Sequence, residues 1–153
     1  MKNIFGNDFK IIIIGTSATG KTNFVNKYTQ NIFNDIYKET VVSEFGFKIF
    51  EKNGKLYRLQ LWDLAGQDKN GMVTKIFSKD AHGYIILSDA TNIQTREDTL
   101  KWKNIVDEVA TFLDGGKLPC ISVESKSDLI EEKENKEKEI KEFVDKMDLM
   151  GDF

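Results

Sequence analysis

An α/β fold with a mostly parallel twisted sheet, one antiparallel edge hairpin and helices on both faces is what this 153-residue sequence predicts. Three observations predict it. Short β-branched apolar runs recur at Ile11–Ile14, Gly83–Ser88 and Cys120–Val123, of the kind buried in a parallel sheet. Helical patterns separate them, as crossovers between parallel strands require. Two alternating stretches, Glu44–Lys52 and Lys55–Leu61, flank Asn53-Gly54, the strongest short hairpin signal.

The chain divides simply. Residues 1–8 are a polar lead-in and 9–153 one domain, without repeats, linkers or low-complexity tracts. Phe9–Ile14 is the first strand. It runs into Gly15-Thr16-Ser17-Ala18-Thr19-Gly20-Lys21-Thr22, which fits G-x-x-x-x-G-K-[ST], and Lys21–Tyr28 opens a helix. Asn31–Ser43 has no sustained period and reads as a long loop, commonly functional in compact domains. After the hairpin comes a second irregular stretch to about Gly71, then a short helix over Met72–Lys79. Thr95–Leu113 is an amphipathic helix with Leu100, Ile105, Val106, Val109, Phe112 and Leu113 on one side. Pro119 sits at the start of the next strand, where it is tolerated. Ile130–Asp148 reads as a charged surface helix, with Glu/Lys pairs four residues apart and Ile140, Phe143, Val144 and Met147 turned inward.

Composition excludes several classes. Hydrophobic residues at 40% supply a core, and a formal net charge of −3 gives no general pull toward nucleic acid or anionic membrane. The lone Cys120 lies in an apolar strand and cannot form an internal disulfide; with no signal peptide, a reducing, cytoplasmic setting is expected. No apolar run approaches the ~18 residues of a membrane span.

The chemistry is concentrated in the glycine loop. Glycines 15 and 20 let successive N–H groups point inward at phosphate oxygens, and the helix start adds unpaired N–H groups. Lys21 would reach the β- and γ-phosphates and the Thr22 hydroxyl would ligate Mg²⁺. A mere turn between strand and helix has no need of Lys and Thr at those positions. Asp63, at a strand end, could hold Mg²⁺ through water; Gly66 leaves room for a γ-phosphate, and Gln67 could orient an attacking water. Thr40, in the long loop, offers a second hydroxyl. Lys126 and Asp128 follow the last strand at the carboxyl edge of the sheet, where such folds bind ligands. A carboxylate there can accept both the ring N–H and the amino group of guanine, which adenine cannot offer, and the Lys126 stem can lie over the base.

With these residues in place the chain resembles a small GTPase of the Ras superfamily, specifically the Rab family. The resemblance is carried by the P-loop, Glu39-Thr40 leading to Glu44-Phe45, the block Arg58–Gln67, and Ala81-His82-Gly83. Arg58–Asp63, Gly71–Lys75 and Leu100–Lys103 resemble the branch associated with lysosome-related organelles. Eighteen positions separate Thr22 from Thr40, the family's spacing between its two Mg²⁺ hydroxyls. The resemblance implies a P-loop G domain binding GTP or GDP with Mg²⁺ and switching between two states in vesicle trafficking, with slow intrinsic hydrolysis. It implies switches at about 34–45 and 64–79, Phe33 against guanine, and Tyr37 over the phosphates. It also implies an aromatic triad, Phe45, Trp62 and Phe77, facing effectors, together with exchange factors and activating proteins, the latter supplying an arginine finger. His82 occupies a family position that needs no ligand role.

The departures are specific. Ser125 stands where the family has Asn, whose amide bridges base and P-loop. A hydroxyl reaches less far with fewer donors, which weakens nucleotide affinity by ~1–3 kcal/mol, about ten- to a hundredfold. Val42 and Ser43 replace a Gly and an aliphatic residue, and Asp68-Lys69-Asn70 replaces Glu-Arg-Phe. The Rab pattern continues with another strand, a base-touching loop, a final helix and prenylated cysteines. This chain stops at Gly151-Asp152-Phe153, so the expectation is a C-terminally truncated G domain without its last strand and helix, and without a membrane anchor of its own. Two other classes compete: a Rab-derived interaction module that no longer cycles, motivated by Ser125 and the missing base loop, and an adenine-specific P-loop kinase or ATPase. The last lacks a lid segment with paired arginines.

Overall fold

The structure, a computed structural model, describes residues 7–68, 71–109 and 116–130. Five strands form one sheet in the order β2-β3-β1-β4-β5. These are β1 (Asp8–Ile14), β2 (Ser43–Lys52), β3 (Lys55–Leu64), β4 (Gly83–Asp89) and β5 (Cys120–Ser125), with helices α1 (Lys21–Gln30), α2 (Met72–Ser78) and α3 (Ile93–Val109). β2 runs antiparallel to β3, and every other pairing is parallel. The expected architecture is therefore present: a mostly parallel sheet with one antiparallel edge hairpin.

The hairpin turns as its residues dictate. Asn53 and Gly54 sit at φ of 54° and 69°, the pair of positive values a two-residue turn needs to match strand twist. β3 runs to Leu64, past the expected end at Leu61, because Ser43 and Glu44 of β2 continue to pair with Leu64 and Asp63. β1 begins at Asp8, one residue inside the expected lead-in; its carboxylate holds Arg58 and Gln60 of the neighbouring strand. α3 starts at Ile93, two residues earlier than expected, after Asn92 accepts an N–H from Gln94. The far end of the Thr95–Leu113 helix, with Val109's side chain, and the charged helix over Ile130–Asp148 lie outside the described residues.

Alternation along the strands splits the core in two. Ile12, Ile14, Leu64, Tyr84 and Ile86 pack with Trp102 and Val106 of α3, Cys120, and the half-buried Phe77 of α2. Ile13, Leu61 and Leu87 turn the other way, onto Val25 and Phe24 of α1. Helices thus cover both faces. Of the expected stripe, Val106 is fully buried and Leu100 and Ile105 are half-buried against the same core; Trp102, not among the expected residues, joins them as the large anchor of α3. The ends of the four mutually parallel strands, at Ile14, Leu64, Asp89 and Ser125, reach the same carboxyl edge, so the loops that follow them surround one cleft.

Candidate nucleotide site

A cavity of about 980 Å³ opens at that edge, lined by the glycine loop, the start of α1, the long loop after α1, Gly66, and Ser125, Lys126 and Asp128. Its size suits a nucleotide. One end is closely built. Gly15 and Gly20 hold φ of 140° and 86°, and a side chain at Gly15 would run into the Leu87 carbonyl. α1 has no side-chain cap, so the N–H groups of its first turn remain available to an anion. Lys21 is 6% exposed and donates to the carbonyls of Gly15 (2.9 Å) and Thr16 (3.0 Å), so its ammonium bridges the loop it belongs to. Burial pulls its pKa down to about 8 against the opposing pull of Asp63. A second negative group would restore it. Thr19 is fully buried and donates to the Thr16 carbonyl, and the Thr16 hydroxyl donates to Asp98 of α3.

Three oxygens meet beside Lys21. Thr22 Oγ1 donates to Asp63 Oδ2 at 2.5 Å and lies 3.0 Å from Thr40 Oγ1, which is 3.4 Å from the same carboxylate oxygen. Asp63 is wholly buried, and its other oxygen, Oδ1, has no hydrogen-bond partner among the described residues. Burial raises its pKa, only partly countered by the Thr22 hydrogen bond and Lys21. A half-satisfied buried carboxylate beside two hydroxyls, all hard oxygen donors, fits Mg²⁺, which takes one or two carboxylates and keeps several waters. Gly66 rests on Ser17, so that any side chain at 66 would strike the Ser17 backbone. Ala65 N–H donates to the Val42 carbonyl (3.0 Å), joining the two irregular stretches behind the site.

The other end is open. Phe33 and Tyr37 line the cavity but are 63% and 61% exposed. Ser125 Oγ lies 2.7 Å from the Thr19 carbonyl and 2.9 Å from the Ser88 carbonyl. Lys126, at φ 58°, pairs with Asp89 at 2.5 Å, and Asp89 also accepts from the N–H and hydroxyl of Thr91. Burial pushes the Asp89 pKa up, but the bonds from Lys126 and Thr91 outweigh it and leave it below the usual carboxylate value. Asp128 lies exposed in a 3₁₀ turn over Ser127–Leu129.

Of the residues expected at the site, Ser17, Ala18, Gly20, Lys21 and Thr22 of the glycine loop line the cleft with Phe33, Thr40, Gly66, Ser125, Lys126 and Asp128; Gly15, Thr16 and Thr19 lie behind the loop's lining residues, and Asp63 reaches the site through Thr22 and Thr40. Gln67 is exposed and does not line the cavity. Phe45, Trp62 and Phe77 do assemble, with ring centroids 4.9 and 5.4 Å apart in sequence, Phe45 half-exposed at the outer end. His82 accepts the Lys10 N–H through Nδ1 and stands edge-on to Phe9. Cys120 is buried, and burial pushes its thiol up to about 11 against the opposing pull of Tyr84 and Lys103. Sequence reasoning missed Asp89 and Asp98. The signal for Asp89 was present: an acid closing an apolar parallel strand, as Asp63 does.

Fold and site together are of the P-loop class. The chain belongs to the Ras family, whose family model matches residues 10–151. Its curated relatives are Rab proteins, as the sequence resemblance implies. It is 37% identical to Rab-7L1 of Rattus norvegicus over 122 residues, 79% of this chain and 60% of that protein. It is 37% identical to Rab-32A of Dictyostelium discoideum over 123 residues, 79% of this chain and 56% of that protein. Human Rab-32 is 30% identical over 146 residues, 95% of this chain and 65% of the relative. The chain therefore spans less than two thirds of these relatives' length.

Proposed function

We propose that this protein is a Rab-like guanine-nucleotide switch that binds GTP and GDP with Mg²⁺, hydrolyses GTP slowly and acts in membrane trafficking from the cytoplasm. The observation that carries it is the meeting of Thr22, Thr40 and the half-satisfied buried Asp63 on one point beside Lys21. Thr22 and Thr40 would hold the ion directly and Asp63 through water; bound there, Mg²⁺ supplies positive charge against the phosphoryl oxygens. Lys21 neutralises phosphate charge from a fixed position, and the glycine-loop N–H groups and helix start orient the chain of phosphates. Gln67 orients the attacking water once the second switch closes over Gly66. Because Thr40 lies on one irregular stretch and Gly66 on the other, losing the outermost phosphoryl group removes what ties both down. Asp128 accepts from guanine and the Lys126 stem backs the base. The Phe45–Trp62–Phe77 surface is then the effector face, with exchange and activating proteins as further partners.

The test is nucleotide identification on the purified protein, followed by titration. Bound GDP or GTP with guanine preferred over adenine is expected; an empty site with no guanine preference sinks the proposal. A second reading, an interaction module that binds nucleotide weakly and no longer cycles, is favoured by one observation: Ser125 is engaged with protein carbonyls. Partner binding that survives loss of all nucleotide would support it.

A further inference from the structure

Besides Phe33, three polar residues were candidates to grip the purine, and the polar groups of two are already occupied. Ser125 Oγ carries one proton, and two backbone carbonyls compete for it, Thr19 at 2.7 Å and Ser88 at 2.9 Å. Thr19 belongs to the glycine loop and Ser88 to β4, while Ser125 closes β5. One hydroxyl therefore ties the loop to two strand ends. Its contacts are as close whichever carbonyl takes the proton, and what remains for a ligand is lone pairs, without a donor. Lys126 commits its ammonium to Asp89, whose other oxygen is held by Thr91. Asp128 differs from both: it is exposed, and among the described residues no hydrogen bond or ion pair engages its carboxylate.

We infer that Ser125 is a positioning residue of the phosphate loop and not a purine contact, and that among the described residues the polar grip on the base falls to Asp128, with only the Lys126 stem behind it, so that nucleotide leaves this protein quickly and unaided. The inference rests on the guanine-nucleotide reading above and adds a regulatory consequence. A switch whose base end is lightly held resets by spontaneous exchange. Its GTP-bound fraction then follows the surrounding GTP-to-GDP ratio and the rate of hydrolysis even before the exchange protein proposed above acts. The loop meanwhile stays shaped when empty, because Ser125 anchors it from below and Lys21 bridges it from within.

The experiment follows release of a fluorescent GDP analogue in Mg²⁺ from the wild type, Ser125→Asn and Ser125→Ala, with thermal melting of each nucleotide-free protein. Wild-type release within minutes is expected. Ser125→Asn, whose amide keeps an acceptor and adds donors, slows release about ten- to a hundredfold, one or two added hydrogen bonds' worth. Ser125→Ala lowers the melting temperature of the empty protein by a few degrees, since the one proton shared between the Thr19 and Ser88 carbonyls is lost and with it the tie between loop and strands. Ser125→Asn releasing at the wild-type rate overturns the inference. So does Ser125→Ala releasing faster while its empty form melts normally, because the hydroxyl would then have touched the ligand. If Ser125→Asn fails to fold, the alanine pair of measurements decides. Wild type that binds GDP but holds it for hours defeats the inference and spares the switch; wild type that binds no guanine nucleotide defeats both.

Discussion

The two ends of the cleft are built from the same kinds of residue and behave differently. At the phosphate end Lys21, Thr19 and Asp63 are buried, each is held by the protein, and a glycine is required wherever backbone meets backbone. At the base end Phe33 and Asp128 are exposed, and the groups that are fixed, Ser125 and Lys126, are fixed to the protein. The difference teaches that preorganisation and ligand contact are separate properties. The phosphate end leaves unspent polar capacity that is built in, the first-turn N–H groups of α1 and the buried Asp63 Oδ1, whereas at the base end the unspent group is the exposed Asp128 carboxylate. Affinity should therefore be set at the phosphate end.

Lys21→Met should break the stronger end. Charge-assisted hydrogen bonds contribute about 1.5–3 kcal/mol each, so losing those to two phosphates weakens GDP and GTP binding on the order of a thousandfold by equilibrium titration. Loss of less than tenfold would mean the lysine serves only to bridge Gly15 and Thr16. Next comes Asp63→Asn. The neutral amide still accepts from Thr22 but cannot draw a dication, and outer ligands of this kind are worth about 10- to 100-fold in metal affinity. Chelating Mg²⁺ should then accelerate nucleotide release in the wild type and barely do so in the variant; equal acceleration in both would remove Asp63 from the metal site. At the base end Asp128→Ala should weaken GDP binding about tenfold and erase the preference over ADP, a smaller loss than either change at the phosphate end.

A pH series sharpens the same contrast through Lys21. Its pKa of about 8 lies below the ordinary 10.5, so folding expels its proton between those values. The empty protein should gain stability, relative to Lys21→Met, as pH rises from 8 to 10.5. Nucleotide binding has the opposite sign, because the phosphates need the ammonium: affinity falls about tenfold per unit above pH 8 in the wild type and not in Lys21→Met. An affinity flat from pH 7 to 9 would contradict this burial.

How far the sequence carries differs between the ends for the same reason. Glycine spacing, a β-branched strand and Lys21-Thr22 are local, and the sheet edge that brings Asp63 and Thr40 to them follows from strand order alone. Asp63 and Gly66 were legible only together with Gln67, since a strand-end acid alone is usually a cap or turn residue, and Thr40 alone was a weak signal. Ser125 was legible only as a departure. That its hydroxyl turns under the loop to Thr19, 106 positions away, depends on tertiary register, β4 against β5 at Asp89↔Ser125. The Lys126–Asp89 pair is hidden likewise, since Asp89 reads as a turn residue until the strands are laid side by side. Trp102 was missed as core because it sits between lysines, and only packing on β4 shows which way it faces.

The smallest effect asks whether the phosphate end is shaped without a ligand. Ala18 sits in the glycine loop at φ 63°, exposed, where a left-handed conformation costs an L-residue about 1–2 kcal/mol. Glycine would relieve that but brings back about 0.4–1 kcal/mol of unfolded-chain freedom. The methyl group buries little, so the balance favours Ala18→Gly by about 0.5–1 kcal/mol, a rise of roughly 2–3 °C in the melting temperature of the empty protein. That gain exists only if the empty loop already holds the left-handed turn. A fall of the same size would mean that alanine's ordinary backbone preference is satisfied in the empty state. The loop would then take its curled form only around phosphate, and the Lys21 and Ser125 ties would be formed with the ligand instead of ahead of it.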